Sequence, residues 1–312
     1  MKDFSRRIAF PRHGMYRLFA YGLLSGAFAV FLGGCNHSNK QIKLDLNPTF
    51  TVPSPGSPLP KLPKPSNGMQ ALERMTQAYK SANSMFIHSS ATISYTLVSK
   101  KSLFQTTTIK YQTNPARLFM TVQDPLEGTN EYYADGSTIV HYSGLSNQYT
   151  RRSYTGGMET IAKIIDKESP QVFSPILFLM SGKDPLGVQT ASMKEESYQG
   201  KPSLLVSGTL SPSYLSNLSH RIFGVTMKST KGEYAVHLDP NTYLLMDSQL
   251  HFAWAGKVKS NGKVFAENPM VDIHEVEKEN VVNPTYKDDT FRFTPPNKAQ
   301  EIYIQSRSQL EQ

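Results

Sequence analysis

The chain has 312 residues, a formal net charge of +8 and a single cysteine. One cysteine excludes an internal disulfide. Much of the positive charge lies in the first 17 residues, and no cluster of Lys and Arg with interleaved aromatic residues follows it. The basic balance therefore does not indicate a nucleic-acid partner.

The N-terminus has the layout of an export signal. Residues 1–17 carry five basic side chains against the single Asp3, and 18–32 form an uncharged run of fifteen residues. The run ends in Gly33, Gly34 and Cys35, which resembles the lipobox of bacterial lipoproteins. We expect residues 1–34 to be a signal peptide and Cys35 to be the lipid-attachment site. Removal of the signal would take the net charge from +8 to +4.

An uncleaved transmembrane anchor is the alternative, but a spanning helix needs about 20 apolar residues. Dual acylation holds a protein on a membrane almost permanently. Asn36 follows the cysteine, where an aspartate retains lipoproteins of enteric bacteria in the inner membrane. This resemblance predicts a cell-envelope location, on the periplasmic face of the outer membrane.

Residues 35–65 are expected to be the acylated cysteine and a linker. Seven prolines fall between Pro48 and Pro65, a composition that favours an extended polyproline-type segment. We expect this segment to hold the following domain, residues 66–312, away from the bilayer.

That domain is predicted to open with a helix over 69–80 and to continue as antiparallel strands. Apolar residues alternate with polar ones over 85–97, and the Asp135-Gly136 pair is a hairpin signal. Turn residues separate most of the segments. The predicted strands cover 85–97, 103–113, 118–122, 131–134, 138–142, 148–153, 192–198, 203–210, 221–229, 233–238, 244–253, 257–265 and 270–279.

Two apolar helices interrupt these strands. Met158, Ile161, Ile164 and Ile165 form a helical stripe, and 173–180 is a second, almost wholly apolar segment. Both are expected to plug the open side of a curved sheet, above either a cavity or a packed core. At the C-terminus, Phe291 and Phe293 are expected to share the inward face of a closing strand that ends at Pro295-Pro296.

Several motifs together are similar to the superfamily of outer-membrane lipoprotein carriers and receptors (LolA/LolB-like), including its DUF2092-type members. They are the first helix (71–79), Tyr133-Ala134-Asp135-Gly136, the stretch from Val236 to Leu245, and Asp289 to Pro296. The resemblance implies a mainly β (α+β) fold. Its core would be a half-open, curved antiparallel sheet, an unclosed barrel of about 11 strands, with an N-terminal helix and short plug helices.

The resemblance also implies a hydrophobic cavity that binds the acyl chains of a lipid or lipoprotein, for transport or sorting in the envelope. Methionine suits such a lining because it repacks around varied shapes. We expect a monomer that contacts the membrane through Cys35 and takes a lipid or acylated protein as ligand. The predicted cavity and lid residues are Met85, Ile87, Tyr95, Leu97, Met120, Ile161, Ile165, Phe173, Phe178 and Leu179.

Enzymatic chemistry is not expected, since the sequence has no Gly-x-Ser-x-Gly elbow and no phosphate-binding loop. No cofactor and no metal is predicted. His237 with Asp239 and Asp272 with His274 are spaced to share a strand face, but two ligands are too few for zinc. The alternative function is a protein-interaction or envelope-stress sensor module with the same fold, a solid core and no bound lipid.

Overall fold

The structure is a computed structural model that describes residues 52–96, 100–125, 128–168, 187–260 and 263–303. Within these ranges the chain forms three α-helices, one short 3-10 helix and fourteen strands. The helices are α1 (Gly68–Ser81), α2 (Met158–Glu168), α3 (Pro212–Phe223) and the 3-10 helix η1 (Asp288–Phe291).

The strands are β1 (Ser84–Thr96), β2 (Lys100–Thr113), β3 (Ala116–Asp124), β4 (Gly128–Ala134), β5 (Thr138–Ser143), β6 (Gln148–Ser153), β7 (Val188–Tyr198), β8 (Lys201–Leu210), β9 (Lys228–Leu238), β10 (Leu245–Ala255), β11 (Lys257–Ser260), β12 (Lys263–Glu267), β13 (Met270–Val282) and β14 (Gln300–Glu301).

Twelve of these strands form one open sheet in the order β14-β6-β5-β4-β3-β2-β1-β13-β10-β9-β8-β7, and β11 and β12 form a separate hairpin. All pairs in the large sheet are antiparallel except β14 with β6. Its two edges do not meet. The predicted fold class, mainly β with an unclosed sheet and few helices, is confirmed.

One face of the sheet, here called the inner face, carries the core and the three helices. A row of buried side chains crosses it through Ile87, Ile109, Met120 and Tyr132, which are paired neighbours on four strands. Helix α1 contacts β7 and β8, α2 contacts β3, and α3 contacts β9. The opposite face is called the outer face.

Helix α1 begins where its sequence predicts. Oδ1 of Asn67 accepts a hydrogen bond from the backbone N–H of Gln70 at 3.0 Å, which satisfies one of the free donors of the first turn. Leu72, Met75 and Tyr79 are buried, whereas Met69 lies 45% exposed and outside the apolar stripe. A hydrogen bond also links the helix to the sheet, because the Tyr111 hydroxyl of β2 donates to the carbonyl of Tyr79.

The predicted strand over 221–229 is wrong. This region holds the end of helix α3, and residues 228–238 form one strand, β9, rather than parts of two. Ser211 caps α3 by accepting from the N–H of Tyr214, and Gly224 ends it in the left-handed conformation. These caps hold the segment in a helix despite the strand preference of Ile222 and Phe223.

The predicted closing strand is also wrong. Phe291 ends the 3-10 helix and is buried against Tyr286, whereas Phe293 is half-buried on the outer face. The Phe293 ring packs 5.0 to 5.9 Å from those of Tyr133, Tyr142 and Tyr149. The N–H of Arg292 bonds back to Asp289, so the segment turns over the outer face instead of extending as a strand.

The proline-rich segment does not run free up to Pro65. The N–H of Gly56 donates to the carbonyl of Val282 at 3.0 Å, and Asn283 donates to the carbonyl of Ser57. A Cβ at position 56 would lie 2.0 Å from the Asn283 carbonyl oxygen, so only glycine fits. Lys64 lies 2.6 Å from Glu195. Residues 56–64 are therefore part of the folded unit, and we call them the strap.

Candidate functional site

Six of the ten predicted cavity residues meet in one buried cluster on the inner face. Each is no more than 8% exposed; they are Met85, Ile87, Tyr95, Met120, Ile161 and Ile165. The other four, Leu97, Phe173, Phe178 and Leu179, lie outside the described residues, as does Cys35. The six come from strands β1 and β3, which are separated by β2, and from helix α2, so tertiary packing brings together residues that the sequence spreads over 80 positions.

The inner face is not uniformly apolar. Ser89, Thr107 and Glu277 are paired neighbours across β13, β1 and β2, and their side chains point inward. Ser248 and Glu275 are a second paired set on β10 and β13. The hydroxyl of Ser89 donates to Oε1 of Glu275 at 2.7 Å. We call these five residues the inner polar belt.

Several acceptor atoms in and beside the belt have no partner. Oε2 of Glu275, both carboxyl oxygens of Glu277, Oγ of Ser248 and Oδ1 of Asn280 are shielded from solvent and accept no hydrogen bond from the described residues. Ser248 and Glu275 are 0% and 1% exposed. A buried polar atom without a partner costs free energy, so this arrangement calls for an explanation.

Burial changes the charge state of the belt. Loss of solvation raises the pKa of Glu275 to about 7, with the nearby Asp247 charge adding to it and the Ser89 hydroxyl opposing it. Loss of solvation and then the charge of Glu275 raise the pKa of Glu277 far above the ordinary value. Two carboxyl groups in one dry site cannot both ionise cheaply. The carboxyl groups of Glu275 and Glu277 are therefore largely protonated in acidic solution, and ionising both of them is electrostatically unfavourable.

Helix α1 covers the belt with Tyr79. Burial first, then the charge of Glu277, raises the pKa of Tyr79. Its hydroxyl accepts a hydrogen bond from the N–H of Leu245 at 3.1 Å, and the side chain of Asn280 donates to the carbonyl of the same Leu245. The N–H of Leu245 and the amide of Asn280 are thus engaged with partners outside the belt.

A half-buried histidine lies further along the inner face. His141 stacks on Tyr132 with ring centroids 4.5 Å apart, and its Nε2 is 3.1 Å from Oδ1 of Asn130. Burial lowers the pKa of His141 to about 4. The ring is therefore neutral at neutral pH and takes part in the apolar packing.

The outer face of the same strands carries a network of histidines and carboxylates. Nδ1 of His251 lies 2.5 Å from Oδ1 of Asp272, and Nε2 of His274 lies 2.6 Å from Oδ2 of Asp247. Tyr198 donates to the same Asp247 oxygen at 2.9 Å. Of these residues, His251, Asp272 and His274 line a shallow groove with a volume of about 490 Å³.

The two pairs that the sequence spacing suggested bond to separate partners. Asp272 and His274 each take a partner from β10, and Asp239 instead accepts from the N–H groups of Asn241 and Thr242 in a turn. His237 lies 3.1 Å from the Ser203 hydroxyl. Among the described residues, no three His, Cys, Asp or Glu side chains are grouped to hold a metal ion.

A second groove, of about 770 Å³, lies between the strap and the domain. Leu59 and Leu62 of the strap line one side, and Leu204 and Tyr243 line the other. Tyr243 has a positive φ of 57°, a conformation that costs a bulky residue free energy. Within the described ranges, no helix is long and apolar enough to cross a membrane.

An open antiparallel sheet with a helix-covered apolar face defines the class of fold. No family model and no curated protein matches the chain. Among solved structures the fold is similar to the lipoprotein LppX of Mycobacterium tuberculosis. That match has 11% identity and a TM-score of 0.38, and it covers 71% of this chain and 97% of that one.

Two further similar structures have names from the superfamily that the sequence motifs resemble. A LolA superfamily protein of Nitrosomonas europaea is 8% identical with a TM-score of 0.29, over 73% of this chain and 99% of that one. A putative outer membrane lipoprotein-sorting domain of Vibrio parahaemolyticus is 6% identical with a TM-score of 0.29, over 72% and 95%. All three TM-scores are below 0.5, and we assign no function from them.

Proposed function

We propose that this chain is a lipid-anchored envelope protein that binds acyl chains on the inner face of its open sheet. One observation carries the proposal: a continuous apolar cluster on one face of the large sheet lies under three short helices. Helices can shift over such a face without breaking the hydrogen-bond ladders of the sheet. Acyl chains need a lining of this kind, which makes no hydrogen-bonding demand.

Methionines support the same proposal. Met75, Met85 and Met120 are at most 1% exposed within the cluster, and Met158 of helix α2 packs against its rim. The flexible, polarisable thioether adapts to partners of varied shape. A face of this composition suits cargo whose chain length and saturation vary.

The test is lipid binding by the delipidated protein without its signal and anchor. Native mass spectrometry should show adducts of lipid mass after incubation with an envelope lipid extract. Met158→Gln should weaken the adduct, because this side chain is half-buried at the cover. Met69→Gln is the matched control, since Met69 points away from the cluster.

A protein that stays free of lipid under these conditions would contradict the proposal. It would favour the alternative, a protein-interaction or sensor module whose inner face is packed solid. The close packing of the six predicted cavity residues is the observation on which that alternative rests.

The anchor is proposed at Cys35. The cysteine thiol is the only one in the chain, so Cys35→Ser should abolish incorporation of a palmitate analogue and leave the precursor uncleaved. Label that persists in the Ser variant would reject the anchor. Fractionation of labelled envelopes then tests the proposed outer-membrane location, and light scattering of the soluble domain tests the proposed monomer.

A further inference from the structure

The inner polar belt and Asn280 beside it have five oxygen atoms that are buried and have no hydrogen-bond partner among the described residues. They belong to Glu275, Glu277, Ser248 and Asn280, which come from two adjacent strands of one face. Four of the five atoms are carboxyl or amide oxygens, which accept hydrogen bonds, and the fifth is a hydroxyl. The belt therefore has more free acceptors than donors, although a protonated Glu277 and the Ser248 hydroxyl each carry one O–H.

The described residues supply few of these donors. The Ser89 hydroxyl donates to Oε1 of Glu275, and the side-chain amide of Asn280 donates to the carbonyl of Leu245. The hydroxyl of Tyr79 accepts from the N–H of Leu245, which leaves its own O–H as one donor near the belt. No Lys or Arg pairs with either glutamate among the ion pairs of the described residues. A ligand that brings its own N–H or O–H groups would satisfy what the fold leaves open.

We propose that the inner polar belt is the headgroup site of the bound lipid and that it selects headgroups with hydrogen-bond donors, either amino or hydroxyl groups. This inference rests on the proposed function. The apolar cluster around the belt would hold the acyl chains, and Glu275 and Glu277 would accept from the headgroup. Because water has no access to these atoms, each hydrogen bond forms in a dry site, where an unpaired acceptor is most costly.

Helix α1 has to move for the headgroup to enter, since the acceptors are closed to solvent. Two hydrogen bonds link Tyr79 of the helix to the sheet. The Tyr111 hydroxyl donates to its carbonyl, and the N–H of Leu245 donates to its hydroxyl. Opening at α1 therefore exposes the belt without breaking a strand pair.

The experiment compares three lipids with the same acyl chains in competition for the delipidated protein. Phosphatidylethanolamine has N–H donors, phosphatidylglycerol has O–H donors, and phosphatidylcholine has neither. Either or both of the first two should bind at least about fivefold more tightly than phosphatidylcholine, the ratio expected from about one hydrogen bond. Which of them does so identifies the source of the donors.

Glu277→Gln and Ser248→Ala test the belt itself. Gln replaces one acceptor with a donor, and Ala removes the Ser248 oxygen at almost constant volume, so each should reduce the preference over phosphatidylcholine. Glu279→Gln is the matched control, because Glu279 is exposed and pairs with His88 two positions along the same strand. Thermal melts confirm that each variant is folded.

The outcomes separate this inference from the proposed function. If phosphatidylcholine binds as tightly as the other two, acyl binding stands and the headgroup site is rejected. If none of the three lipids binds, the proposed function fails with it. A preference that survives in both belt variants places the donor-binding site elsewhere and also rejects the inference.

Discussion

The two faces of strand β13 carry ionisable residues in contrasting situations. On the outer face, Asp272 contacts His251, and His274 contacts Asp247 from the neighbouring strand. On the inner face, Glu275 and Glu277 are shielded, and three of their four carboxyl oxygens lack a hydrogen bond from the described residues. The two sets lie within six positions of one strand.

The difference shows what each face can provide. The outer face is partly exposed, so long side chains from β10 and the ring of Tyr198 can reach its carboxylates. The inner face has helices whose residues near the belt are apolar or already bonded. An exposed ion pair stabilises a protein by at most about 1 kcal/mol, whereas an unpaired buried acceptor costs about 1–3 kcal/mol. The unpaired carboxyl oxygens of Glu275 and Glu277 therefore destabilise the fold, which is consistent with a functional role for them.

The largest expected effect is a difference in unfolding free energy between substitutions on the inner and outer faces of β13. Ile273→Ala removes a side chain that is 2% exposed, and we expect it to lower the free energy of unfolding by about 2–5 kcal/mol. Asp272→Ala, one position away on the outer face, should cost about 1 kcal/mol or less. Denaturant titration of both variants measures this. Equal losses would mean that the inner face is no more tightly packed than the outer.

The second effect is a pH dependence of stability. The pKa of Glu275 rises from 4.5 to about 7 on folding, so the folded state binds the proton more tightly. Stability should be full below pH 4.5, fall as pH rises to about 7, and stay constant above that. The loss is of the order of 3 kcal/mol. Glu275→Gln should remove this contribution, and an unchanged slope in unfolding free energy against pH would contradict it.

His141 should act with the opposite sign and a similar size. Its pKa falls from 6.5 to about 4 on folding, so the unfolded chain takes up the proton first. Stability should therefore decline as pH falls from 6.5 to 4, by roughly 3 kcal/mol. In the wild type the two trends oppose each other between pH 4.5 and 6.5. His141→Gln should make stability rise more steeply on acidification, and a flat profile in this variant would reject the assignment.

The smallest expected effect concerns the outer face. Tyr198→Phe removes a donor to Asp247, whose side chain is fully buried. We expect a loss of about 1 kcal/mol, because His274 still contacts the same oxygen. Tyr303→Phe, at an 83% exposed position, is the control and should change the melting temperature very little. A loss several times larger would show that the outer network is less redundant than its contacts indicate.

The sequence predicted the fold well where one local signal dominates. The alternation of Val271 and Ile273 with the polar Asp272 and His274 indicates a strand, and Asn67 indicates the start of a helix. Helix α3 was missed although Ser211 and Pro212 open it and Gly224 closes it. Ile222 and Phe223 favour strands by themselves, and the caps outweigh that preference.

The inner polar belt could not be predicted because charged residues on a strand usually face solvent. The run from Glu275 to Glu279 suggests a solvated edge. The available signal was the two-residue repeat of a strand: at this spacing Glu275 and Glu277 fall on the same face as the buried Val271 and Ile273. A bulge between His88 and Ser89 then shifts the register, so Glu279 leaves that face. Only the paired strands show where the change occurs.

The strap has a mechanical consequence in the anchored form proposed above. A pull on the tether reaches the domain at Gly56, whose N–H is bonded to Val282 at the end of β13. That strand lies between β1 and β10, in the middle of the sheet. A force directed away from this end loads the central strands along their length, where many ladder hydrogen bonds resist together. The sheet edges and the helix cover then carry little of the tension, and α1 can move while the protein is held.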